Sequence, residues 1–239
     1  MSGDGVDAAP LWESLELQQE AGLRGVFTAV AGLSPAAVAR LLGDAGERLR
    51  GEGWQRRLAE EYPGDIGLLL GPLFLNHVLL QPGEALFLGA NEPHAYLAGD
   101  CLEVMACSDN VVRAGLTPKF RDTATLCSML SYRCGPPRLL TPTRSSPASR
   151  LYNPPIDDFQ LATVLLDASS SPHLLPGHSS PTLAFLLEGD LLVHPPDRPD
   201  RPSLLPPSSC FLLHPHTPLL LSSSSPRCYL ALATSNRTQ

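Results

Sequence analysis

The chain has no run of about 18 apolar residues, the length a helix needs to cross a bilayer, so no segment reads as a membrane span. Its six cysteines, Cys101, Cys107, Cys127, Cys134, Cys210 and Cys228, include no Cys-x-x-Cys pair and no dense framework. They therefore read as reduced, partly buried thiols rather than a disulfide scaffold. Charge is scarce: 17% of residues are charged, below the roughly 25% usual in globular chains. The net charge is −7, and there is no basic patch of the kind nucleic acid requires. The opening MSGDGVDAAPLWESLE is acidic and lacks the apolar core of a signal peptide. These absences predict a cytosolic protein with no nucleic-acid or membrane partner, in which the sequon Asn236-Arg237-Thr238 occurs by chance.

At 239 residues the chain can bury one large core or two ordinary ones. Residues 1–66 read as a helical segment. Ser34-Pro35 before AAVARLLGDAGERLR supplies an N-cap and a proline at the first helical position. WQRRLAEEY then forms a further helix, stopped by Pro63-Gly64. Residues 67–135 read as short strands joined by tight turns, followed by a short helix at TATLCSMLSY. A Pro/Ser-rich connector spans 136–158. Residues 159–239 return to strands, with Glu188-Gly189-Asp190 as a hairpin turn. Of 25 prolines, 18 follow residue 135, which argues against long helices there.

The chemistry-bearing residues concentrate in EPHAYLAGDCLEVMACSDNVVRAGLTPK, residues 92–119. In an extended chain His94 and Tyr96 share one face, and Cys101, Glu103, Met105, Cys107 and Asp109 share a face of the next strand. Read alone, these cysteines and Met105 are core, Asp109 caps a turn with Asn110, and Arg113 is a solvated charge.

This segment closely resembles the C-terminal signature of the type I mannose-6-phosphate isomerase (phosphomannose isomerase) family, which are zinc-dependent cupins. The resemblance is specific over residues 62–132 and weaker over roughly 20–235. It implies a mainly β fold with a helical N-terminal unit and two cupin-like β-barrel or jelly-roll subdomains, the first incomplete. It implies interconversion of mannose 6-phosphate and fructose 6-phosphate, an aldose–ketose isomerisation feeding GDP-mannose synthesis, by a monomer. His94 matches a zinc ligand and Arg113 the active-site arginine. Tyr96, Asp109 and Lys119 match the substrate pocket, and Glu103 is a candidate to orient His94. A fixed guanidinium suits an enediolate, and cations suit a phosphate dianion.

The match stops short of the full site. The family binds one zinc with four ligands, a Gln-x-His pair, a Glu and the histidine matching His94. Before His94 this sequence has only His77 and no Gln-x-His, and the family's NHKPE-type motif is absent. His214-Pro215-His216 has the spacing of a cupin pair, but no carboxylate follows Asp200. The expectation is the C-terminal portion of an isomerase, inactive alone. The alternatives are a non-catalytic sugar-phosphate-binding cupin module and, with less support from the motifs, a cupin dioxygenase or storage-type cupin.

Overall fold

The computed structural model describes residues 20–44, 53–108, 110–170, 172–195, 197–198 and 200–237. These fall into two compact units. The first gathers the described residues up to Leu79 with Leu88–Asp100 and Ser108–Arg138, and the second holds Leu80–Phe87, Cys101–Cys107 and the chain from Leu139 onward.

The first unit holds α1 (Glu20–Ala31), α2 (Pro35–Asp44), α3 (Gly53–Glu61), α4 (Gly67–Phe74) and α5 (Thr123–Met129), and all but α3 contribute to one apolar cluster. The Ser34 hydroxyl accepts a hydrogen bond from the Ala37 amide at 3.3 Å, and Pro35 opens α2 where no amide donor is needed. Leu73 and Phe74, which the sequence placed in a β-region, instead finish α4. The residues just before them, Ile66, Leu69 and Leu70, are buried at helical spacing against Val26, Phe27 and Val30. Arg24 of α1 donates to the Ser128 carbonyl at 3.0 Å at the end of α5, where a cation also suits the helix dipole. At the other end the Asp122 carboxylate accepts from the Thr125 amide at 2.9 Å, and that bond holds its pKa below the usual carboxylate range.

The strand expected from Cys101 to Asp109 does not form over its described residues, and Asp109 itself lies outside them. A strand exists by pairing, and residues 101–108 join no ladder. Only the alternation survives: Leu102 and Val104 are half-buried, while Glu103 and Met105 are exposed. Of the expected first barrel, the described residues show one strand, β1 (Ala85–Phe87), in a two-stranded ribbon with β2 (Arg138–Leu140).

The second unit is a sandwich of β3 (Thr143–Arg144), β4 (Ser149–Tyr152), β5 (Gln160–Leu166), β6 (His173–Leu175), β7 (Thr182–Glu188), β8 (Leu191–His194), β9 (Ser203–Leu205), β10 (Cys210–Leu213), β11 (Leu219–Ser222) and β12 (Cys228–Thr234). One sheet runs β10-β7-β12-β5-β4-β3 and the other β6-β11-β8-β9. From β5 to β12 the chain switches sheet at nearly every connection, which is the jelly-roll order expected of a cupin-like domain. Strand β7 alternates buried and exposed residues, and Ala184 and Leu186 face a core shared with Leu191, Leu221 and Leu230.

Two sequence readings need correction here. Glu188-Gly189-Asp190 does turn the chain, but it carries it from one sheet to the other instead of closing a hairpin. Gly189 sits at φ 76°, and a Cβ there would lie 2.1 Å from the Arg227 carbonyl oxygen, so no other residue fits. Strands β3 and β4, inside the stretch read as a connector, extend the six-stranded sheet beyond β5.

His173 on β6 and buried Ser149 on β4 hydrogen-bond across the sandwich at 3.0 Å. Burial pushes the His173 pKa below its ordinary value. As pH falls, the unfolded chain therefore takes up the proton first. Stability present above pH about 6.5 is lost as pH drops through the lower folded value. Denaturant midpoints at about pH 7.5 and 5.5 should diverge more for the wild-type chain than for His173→Gln. An identical divergence would assign the pH dependence to other groups.

Candidate active-site loop

The segment VVRAGLTPK is fixed by what lies on either side of its arginine. Val112 and Ala114 pack against the helical core, so Arg113 between them faces away from it. Arg113 and Lys119 line an open hollow of about 510 Å³ together with Ser108, Asn110, Val111 and Phe120. The structure thus brings together the two cations the sequence singled out. Apolar Phe120 at their side is 86% exposed.

Further along, the loop is pressed against the start of α4. A Cβ on Gly115 would lie 2.7 Å from both the Asp65 carboxylate and the Gly67 amide nitrogen, and a Cβ on Gly67 would lie 2.7 Å from Leu116 Cγ. The next residue, Leu116, is held in the left-handed region at φ 52°. For a side chain of that size this costs about 1–3 kcal/mol. The Asp65 Oδ1 atom accepts hydrogen bonds from the Leu116 amide at 2.8 Å and the Gly67 amide at 2.7 Å. Asp65 is the residue the sequence reading missed. It was visible there only as the residue after a helix-stopping Pro-Gly, and nothing local announced a partner 51 positions away.

His94 and Tyr96 sit side by side, ring centroids 5.7 Å apart, and both are exposed. Neither is among the described residues lining the hollow of Arg113 and Lys119. The His94 Nδ1 atom lies 2.9 Å from the Glu92 carbonyl oxygen. A carbonyl can only accept, so a neutral His94 carries its proton on Nδ1 and presents a lone pair at Nε2. That is the tautomer a metal ligand needs, and the orienting acceptor at Nδ1 is the Glu92 carbonyl, a role the sequence suggested for Glu103. One imidazole is not a site, however. Among the described residues no three His, Cys, Asp or Glu side chains come together to hold a metal ion, and a catalytic zinc takes about three protein ligands. Three histidines of the second unit are engaged within its fold: His173 with Ser149, His178 with Gln160 and Thr234, and His194 with Ser222.

No family model matches the chain. Mannose-6-phosphate isomerase 1 of Arabidopsis thaliana is 43% identical over 178 residues, which cover 70% of this chain and 41% of that protein. The human mannose-6-phosphate isomerase is 46% identical over 144 residues, 59% of this chain and 34% of its own length. A solved, zinc-bound mannose 6-phosphate isomerase superposes with a TM-score of 0.80 at 30% identity, over 98% of this chain and 58% of that one. Over the part of them that it spans, the chain is similar to mannose-6-phosphate isomerases. It spans less than half the length of these curated relatives, 41% and 34%. The Salmonella typhimurium isomerase, solved with fructose 6-phosphate and zinc, matches at a TM-score of 0.78 over 94% of this chain and 57% of its own.

Proposed function

We propose that this chain carries the sugar-phosphate-handling part of an aldose–ketose isomerase that interconverts mannose 6-phosphate and fructose 6-phosphate for GDP-mannose synthesis. The observation that carries the reading is the pairing of Arg113 and Lys119 on one hollow, on a loop whose backbone is held by Asp65. The substrate brings a phosphate dianion, and moving a proton between C2 and C1 builds negative charge on an enediolate. Arg113 is placed in the catalytic role, where a fixed guanidinium stabilises that charge better than water does. Lys119, Tyr96 and Asp109 are assigned to the substrate, with Lys119 suited to the phosphate.

His94 is the family's metal ligand in this reading, with Nε2 as the donor atom. The described residues do not complete a zinc site around it, and a catalytic zinc takes about three protein ligands. Turnover then requires donors from family segments that this sequence does not contain. The same fact keeps a second reading open, a module that binds sugar phosphates without converting them.

A coupled isomerase assay with added zinc decides between them. This chain alone should show negligible turnover, and the chain extended with the segments present only in its longer relatives should be active. Equal turnover by the two would sink the requirement for further ligands. Binding without turnover in the extended form would favour the non-catalytic module.

A further inference from the structure

We infer that Asp65 is a positioning residue that sets the geometry of the Arg113–Lys119 loop, an inference that rests on the sugar-phosphate reading above. The sequence distance is large, 51 residues from Asp65 to Leu116, yet a single carboxylate oxygen serves both sides of the contact. It accepts the Gly67 amide at the start of α4 and the Leu116 amide in the middle of the loop. Leu116 lies three residues after Arg113 and three before Lys119, so the clamp grips the turn midway between the two cations.

Three features show that the contact holds the loop in a conformation it would not adopt unaided. Leu116 is left-handed at φ 52°, which an unrestrained leucine avoids. Gly67 and Gly115 approach so closely that a Cβ on either would meet the other segment at 2.7–2.9 Å, so both positions have no room for a side chain. Asp65 is half-buried, and a buried carboxylate that accepts two amides is costly to replace by a group that accepts none. Val112 and Ala114 anchor one end of the loop in the helical core. Asp65 fixes its middle, and between these points the backbone that carries Arg113 is held on both sides. Preorganised charge of this kind is worth more to an anionic transition state than a mobile cation.

The role is one of placement, so the acceptor oxygen matters and the charge does not. Asp65→Asn keeps an acceptor at the same position, whereas Asp65→Ala removes it. Native-state hydrogen exchange on this chain, with fructose 6-phosphate titrated into the same samples, separates the two. Asp65→Ala should speed exchange of the Gly67 and Leu116 amides by about tenfold or more while Leu126 and Leu230 in the two cores keep wild-type protection. Its affinity for fructose 6-phosphate should fall by a similar factor, and Asp65→Asn should restore both to near wild type. Faster exchange throughout both cores in Asp65→Ala, or unchanged Leu116 exchange, would overturn the inference. If Asp65→Ala does not fold, Asp65→Asn still decides: weakened binding with Leu116 protected would show that charge matters and contradict the proposal. A wild-type chain that binds no fructose 6-phosphate removes the sugar-phosphate reading, while the exchange data still judge the clamp.

Discussion

Leu186→Ala should destabilise the jelly-roll unit by about 2–5 kcal/mol, lowering its thermal midpoint by roughly 10 °C or more. Leu186 is fully buried, lies opposite Leu230 of β12, and belongs to the cluster that joins the two sheets. Removing its side chain leaves a cavity among strands whose backbone ladders resist collapse. Leu183, three residues earlier on the same strand, is 50% exposed on the opposite face. Its truncation should change stability by no more than about 0.5 kcal/mol. Denaturant unfolding of the two variants measures both values. Similar losses would mean that β7 does not present its faces as described, and the jelly-roll register would be wrong.

Arg113→Ala in the extended, active form should reduce kcat by about 10²–10³-fold, the range seen when a preorganised charge-stabilising donor is removed. Because the guanidinium is assigned to charge that develops in the transition state, kcat and kcat/KM should fall together. Arg113→Lys should recover only part of the loss, since a point charge on a flexible stem lacks the planar fork. Lys119→Ala should act differently and raise KM more than it lowers kcat, because phosphate is bound equally before and during the reaction. Steady-state kinetics on the three variants distinguish these outcomes. An Arg113→Ala enzyme that loses only KM would move the arginine from the chemistry to simple binding.

The parts of the fold that local chemistry dictates were legible in the sequence. Ser34-Pro35 before apolar residues at helical spacing favours a helix start, and it makes one here. The β-character of the C-terminal region followed from its prolines and short apolar runs. Pairing was not legible. A turn at Gly189 can close a hairpin or change sheets, and only the packing of Leu191 into the shared core decides for the latter. The alternation of residues 101–108 is that of a strand, but alternation without a neighbour to bond to yields an extended segment with exposed Met105.

The candidate site divides along the same line. Arg113 and Lys119 could be singled out because their segment resembles a known signature, and the structure adds why Arg113 faces away from the helical core: Val112 and Ala114 face into it. Asp65 could not be found locally, since its partners are amides, which every residue possesses. What marks it is a coincidence of two glycines and a left-handed leucine that only meet in three dimensions.

The most direct test of the account is calorimetric titration of fructose 6-phosphate, with fructose as the uncharged control, into this chain and into its Arg113→Ala/Lys119→Ala variant. Two loop cations that recognise a phosphate dianion predict binding of fructose 6-phosphate that weakens with added salt, no detectable binding of fructose, and loss of the signal in the double variant. Equal binding of fructose 6-phosphate by the wild-type chain and the double variant would contradict the assignment of this loop to the substrate.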